Sequence, residues 1–113
     1  MTRQMDAGDL RGAAVAEAGL RQAWPFLPFM WSDRESEARL YIDTTLRLDD
    51  EEYVEDDPER AAGALLGLIS LTVTEASVDD ESRLTVGFDG GHLLVVSGTP
   101  ANTTHDVWWF GRP

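Results

Sequence analysis

The clearest pattern along the chain is a two-residue alternation of apolar and polar positions in its second half, the signature of half-buried strands. Leu71, Val73, Glu75 and Ser77 alternate with Thr72, Thr74, Ala76 and Val78 and predict a strand over 69–78. Asp79-Asp80-Glu81-Ser82 reads as a turn. Leu84, Val86 and Phe88 then share one face, with Thr85 and Gly87 opposite. Asp89-Gly90-Gly91 is a tight hairpin turn, because glycine enters positive φ without steric cost. Leu93 to Val96 is an unbroken apolar run and predicts a strand buried on both faces. After a loop over 97–104, residues 106–110 make a final strand, so the second half is a four-stranded antiparallel meander.

A helix leads this meander. Asp57 can cap its first turn, Pro58 suits the first helical position and Glu59 favours the positive end of the helix dipole. Ala61, Ala62, Ala64, Leu65 and Leu66 sustain the helix and Gly67 stops it, giving a helix over 58–66.

The first half repeats part of this plan. Leu10-x-x-x-x-Val15-x-Glu17-Ala18 matches Leu68-x-x-x-x-Val73-x-Glu75-Ala76 at an offset of 58 residues. Phe29-Met30-Trp31 stands where Val86-Gly87-Phe88 stands, and Leu40-Tyr41-Ile42 where Leu93-Leu94-Val95 stands. Residues 10–23 are alanine-rich, but Gly12 and Gly19 would each cost a helix about 1 kcal/mol, so a strand is preferred. The fold class expected is α+β, mostly antiparallel β. Six to seven strands form two similar three-strand units with one short helix between them, in a single domain over 1–113. The internal repeat spans 10–48 and 66–111, joined by an acidic segment over 49–57 and the helix.

Two aromatic segments break the alternation. Trp24-Pro25-Phe26-Leu27-Pro28-Phe29-Met30-Trp31 is apolar on both faces of any strand, as is Trp108-Trp109-Phe110. A core covers one face of each, and a sheet curled around a helix would cover both; the other reading makes Trp24, Phe26, Trp31, Trp108 and Trp109 a candidate aromatic interface, for instance between two copies in a homodimer. Pro25 and Pro28 predict an edge strand or a bulge, since proline donates nothing to a ladder.

Charge adds the sharpest feature. Eight of the eleven residues from Asp49 to Glu59 are acidic and none is basic, within a net charge of −12 over 113 residues. The rest of the chain holds 13 acids against nine arginines, and there is no lysine. Phosphate and anionic membranes need a positive footprint, so nucleic acid and membrane surfaces are poor ligands, whereas a basic protein partner fits. Asp49, Asp50, Glu51, Glu52, Glu55, Asp56 and Asp57 are the candidate partner-binding acids, with Tyr53 as an aromatic anchor among them. With 42% hydrophobic and 27% charged residues the composition is globular. Cysteine is absent, which removes disulfides, thiol nucleophiles and thiolate metal sites. The first residues lack a signal-peptide pattern and no apolar run is long enough to span a bilayer, so a cytoplasmic location is expected.

Catalytic constellations are weak. His105 and Asp106 are neighbours on a strand and point to opposite faces. His92 lies at a hairpin, leaving any triad or histidine metal site short of parts. Ser32-Asp33-Arg34-Glu35 and Asp79-Asp80-Glu81-Ser82 gather carboxylates, as glycoside chemistry requires, but read as solvated turns. The acidic run lacks the glycine that wraps a calcium loop, and Asp89-Gly90-Gly91 lacks the spacing of a phosphate cradle. No cofactor, no metal and no enzymatic activity are expected.

The segment from Leu66 to Gly111 resembles a family of small, functionally uncharacterised β-rich proteins of actinobacteria. Val73, Ala76, Leu84, Val86, Phe88, Asp89, Gly90, Leu93, Val95, Asp106, Trp108 and Gly111 carry the resemblance; Asp106 departs from it, standing where glutamate is expected. The resemblance implies architecture rather than activity. Some small β-rich proteins of this kind resemble immunity proteins of bacterial toxin systems. The expected function is therefore a non-enzymatic acidic binding protein, concretely an immunity protein that neutralises a basic, nuclease-like toxin. The alternative is a structural or self-assembling homo-oligomeric module.

Overall fold

The computed structural model of the chain describes residues 7–22, 24–32, 37–54, 56–98 and 108–111. Among them run strands β1 (Ala14–Val15), β2 (Gly19–Arg21), β3 (Trp24–Met30), β4 (Glu37–Ile42), β5 (Leu46–Leu48), β6 (Glu51–Tyr53), β7 (Val73–Val78), β8 (Leu84–Phe88), β9 (Leu93–Val96) and β10 (Trp108–Gly111). One α-helix, α1 (Pro58–Leu65), follows β6. The strands form two antiparallel sheets. The first has the order β1-β3-β4-β10, with β2 also on β3; the second has the order β6-β5-β9-β8-β7. The fold is thus α+β and mostly antiparallel, as the alternation predicts.

A single cluster of buried side chains draws on both sheets. Leu27, Phe29, Leu40 and Ile42 come from the first; Leu46, Leu84, Val86, Leu94 and Val96 come from the second, and Leu65 and Leu68 close one side. Each such side chain stabilises the fold by roughly 1.5–3 kcal/mol relative to exposure. Strand β4 shows how the pattern dictates the packing: Ala38, Leu40 and Ile42 are buried while Glu37, Arg39 and Tyr41 between them are only partly so.

Local chemistry explains the element ends. The Arg60 amide donates to the Asp57 carboxylate at the start of α1, with Pro58 inside the first turn. The chain then tightens into a 3-10 turn over Leu66–Leu68, so Gly67 lies within the turn, and Ser70, at φ +76, reverses the direction. At the β8–β9 hairpin, Gly90 and Gly91 take φ of +83 and +84 and the Phe88 amide donates to the His92 carbonyl. Asp89 of that turn exchanges bonds with Thr72: its carboxylate accepts from the Thr72 amide, and its own amide donates to the Thr72 carbonyl.

Five expectations are corrected. Residues 10–23 are not one strand: a 3-10 turn over Ala7–Leu10 is followed by Gly12 at φ +87 and two separate short strands. The acidic segment is not a plain linker, because Leu46 lies opposite Tyr53, and Leu48 opposite Glu51, in a β5–β6 hairpin whose two-residue turn places Asp49 at φ +56. Strand β9 is buried on one face only, with Leu93 exposed. The last strand does not complete a meander on β9: β5 occupies that edge, pairing Leu46 with Val96, and β10 pairs with β4 in the other sheet. Lastly, β3 is an interior strand despite its two prolines. Pro25 lies one residue past the end of the β3–β4 ladder, which stops at Phe26 opposite Tyr41. Pro28 faces the gap between β1 and β2, where its carbonyl still accepts from the Ala16 amide. Each proline takes its place in the strand without donating to the ladder.

Candidate functional site

The acidic run builds the outer rim of the second sheet. Strand β6 is its edge, and α1 begins a few residues further on. Several of the run's acids are engaged by the fold. The Asp49 amide donates to the Leu93 carbonyl, and its carboxylate accepts from the Leu93 amide and from His92 Nδ1, each at 2.9 Å. The His92 bond and then the Leu93 N–H hold the Asp49 carboxyl below the ordinary aspartate value. Asp57 caps α1. Glu51 pairs with the Arg60 guanidinium at 3.0 Å.

Arg60 organises this corner. Its guanidinium lies 4.7 Å from the centre of the Tyr53 ring and reaches the Glu52 carbonyl as well as the Glu51 carboxylate. Tyr53 packs against the core on its way out. It therefore braces the hairpin against the helix rather than standing free as an anchor. The sequence held a signal for this brace: Arg60 is the first cation after eight acids and sits in the first turn of a helix.

Of the candidate acids, Asp50, Glu52 and Asp56 are left. All three are exposed, as is Glu59 in the first turn of α1, and among the described residues the carboxylates of the three make no ion pair or hydrogen bond. Glu55 lies outside the described residues.

The aromatic candidates divide by face. Trp24 and Phe26 on β3, Tyr41 on β4 and Trp109 on β10 alternate with core residues, and so lie on the outer face of the first sheet. Phe26 stacks on Tyr41 at 6.1 Å, Tyr41 stacks on Trp109 at 5.7 Å, and Trp24 meets Trp109 edge-on at 5.1 Å. The other two tryptophans lie elsewhere. Trp31 is buried, its indole N–H donating to the Asp9 carbonyl at 3.1 Å. Trp108 packs against the core and Phe110, donating to the Ser82 carbonyl at 2.7 Å. Tyr41, which the sequence reading passed over, is the central ring of the row. Its place between Leu40 and Ile42 in an alternating strand was the available signal.

The remaining candidates are turns. Asp79 accepts from the Glu81 and Arg83 amides and pairs with the Arg83 guanidinium at 2.9 Å, and these bonds, the Arg83 amide foremost, lower its pKa. Asp33, Arg34, Glu35, His105 and Asp106 lie outside the described residues. Among the described residues no group of three or more His, Cys, Asp or Glu side chains is placed to hold a metal ion, and no helix is long and apolar enough to cross a membrane.

Comparison with known proteins adds no relative: no protein-family model, no curated protein and no solved structure matches the chain.

Proposed function

We propose that this chain is a non-enzymatic acidic binding protein that engages a basic protein partner through the rim formed by β6 and the segment leading into α1. An immunity protein occluding a nuclease-like toxin is its concrete form. One observation carries the reading. Asp49, Glu51 and Asp57 are satisfied within the fold, while Asp50, Glu52 and Asp56 stay exposed beside them with no ion pair or hydrogen bond to their carboxylates among the described residues, although Arg47 stands opposite Glu52 across the hairpin. Charged side chains on a three-residue edge strand guard it against stray pairing, but this cluster continues past the strand. Such a cluster raises the encounter rate with a positive surface and rejects negative ones.

The test is the triple reversal D50K/E52K/D56K. Their carboxylates make no hydrogen bond or ion pair among the described residues, so circular dichroism should match the wild type. Association with the basic partner captured by the wild type from its native host should slow, and its salt dependence should flatten. Recovery of the same partners, with unchanged salt dependence, refutes the reading.

The stacked row on the first sheet favours a second reading, a homodimer formed through that face. The four rings are half-buried on that face, and tryptophan and tyrosine are enriched at binding hot spots. A Tyr41→Glu substitution should then abolish a dimer seen by light scattering. A strict monomer at high micromolar wild-type concentration removes this reading.

A further inference from the structure

We propose that the chain is a fused dimer: two copies of one strand-lending unit, related by a pseudo-twofold axis between Ala14 and Thr72, each recognising the other through the same surface. The hydrogen bonds around that point come in pairs 58 residues apart. Ala13 N–H donates to the Leu10 carbonyl at 2.9 Å, and Leu71 N–H to the Leu68 carbonyl at 3.0 Å. Gly12 N–H donates to the Val73 carbonyl, and Ser70 N–H to the Val15 carbonyl, both at 2.9 Å. Val15 N–H reaches the Leu71 carbonyl at 3.0 Å, and Val73 N–H the Ala13 carbonyl at 2.8 Å. The last two pairs cross between the segments. Each bond from the first to the second therefore returns as the equivalent bond from the second to the first, with the Ala14–Thr72 bridge midway. That reciprocity defines an isologous, twofold contact.

The surroundings follow the same operation. Each segment opens with a 3-10 turn ending in a buried leucine, Leu10 or Leu68. Each then reverses at a positive-φ residue, Gly12 at +87 or Ser70 at +76. Each sends in a buried valine opposite a buried phenylalanine: Val15 with Phe29, Val73 with Phe88. Next, Leu27 lies opposite Leu40, and Val86 opposite Leu94. These pairs set the correspondence of Phe29 with Phe88 and of Leu40 with Leu94, two residues and one residue away from the alignment read in the sequence.

The fourth strand is exchanged. Sheet order β1-β3-β4 is completed by β10 from the second half, and β7-β8-β9 by β5 from the first. Alone, either unit would leave the outer edge of β4 or β9 bare, and a bare central edge is an invitation to pair. The partner this surface fits is another copy of the unit, which the chain carries within itself. The two outer faces depart from the symmetry: the row Phe26–Tyr41–Trp109 occupies the place of Thr85–Val95–Arg47 on the second sheet. The fold tolerates either chemistry there, so packing does not demand the aromatic row.

The decisive experiment inserts a protease recognition sequence between Val54 and Asp56 of the full chain and cleaves it after folding. The two fragments should co-elute at the mass of the intact chain with its circular dichroism unchanged. After separation in denaturant, each fragment should be unfolded or paired with a second copy of itself, and mixing should restore the intact spectrum. Fragments that part on a native column, or a fragment that folds as a monomer, overturn the proposal. Should the insertion prevent folding, hydrogen exchange on the uncut chain decides. Interlocked units open together, so Val15 and Val73 amides should be protected to within about tenfold of each other. Protection of one half lost orders of magnitude faster than the other refutes the interlock.

Discussion

Removing the Arg60 guanidinium by Arg60→Ala tests the brace between hairpin and helix. The Glu51 ion pair has both side chains more than half exposed, at 53% and 63%. Such a pair contributes a few tenths of a kcal/mol. The Tyr53 contact at 4.7 Å is the larger part, about 0.5–1 kcal/mol at a surface site. The Glu52 carbonyl contact, at 3.5 Å, adds little. A cation in the first turn of a helix opposes the helix dipole, and its removal returns about 0.3 kcal/mol. The expected net loss is roughly 0.5–1 kcal/mol, or a fall in Tm of about 2–5 °C for a domain of this size. The assay is urea unfolding of wild type, R60A, Y53L and the double variant at low and high salt. The coupling between Arg60 and Tyr53 should be about 0.5–1 kcal/mol and should survive salt better than the Glu51 share. A coupling indistinguishable from zero would refute the assignment of Tyr53 as a strut. If the acidic rim binds a basic partner, R60A should also speed association, because it removes a positive charge from the rim.

Three further outcomes are expected. Asp49 and Asp79 have folded pKa values below their ordinary 3.8, so both contribute stability that is full above that value and is lost as pH falls through the lowered folded value; Asp49→Asn should therefore shallow the acid limb of a urea-midpoint profile between about pH 5 and 2. A Cβ on Gly98 would overlap the Glu81 carbonyl, so Gly98→Ala should lower stability by at least about 2 kcal/mol in urea unfolding, and an unchanged midpoint would refute that close approach. Ser70 holds φ +76 where its counterpart is Gly12, so Ser70→Gly should stabilise the fold by about 0.5–1 kcal/mol and Gly12→Ser should destabilise it by a similar amount; the reverse signs would show that these turns differ in solution.

Much of the local structure was legible in the chain. Asp57-Pro58-Glu59 marks a helix start because a carboxylate cap and a fixed φ act within one turn. Asp89-Gly90-Gly91 marks a hairpin because glycine enters positive φ without steric cost. Leu84, Val86 and Phe88 declare their buried face by a period set by the pleat. The candidate site was legible only in part. Eight acids in one run identified a charged rim, but not that Arg60 and His92 would engage some of them and leave Asp50, Glu52 and Asp56 exposed. The tryptophans were recognisable as two groups by sequence, whereas the sheet regroups them by face: Trp24 and Trp109 share the outer row with Tyr41, and Trp31 and Trp108 turn toward the interior.

The sequence by itself determined the β-rich class, the helix start, the hairpin turn and the sign of the rim, because φ preference, capping and alternation act over a few residues. Tertiary structure alone decided which strand completes which sheet. A strand edge presents the same unpaired N–H and C=O groups whatever its sequence, so β10 joins β4 and β5 joins β9 according to which edges the rest of the fold leaves open. The same choice converts the acidic segment from a linker into the edge of a sheet, with Asp50 and Glu52 exposed along its rim.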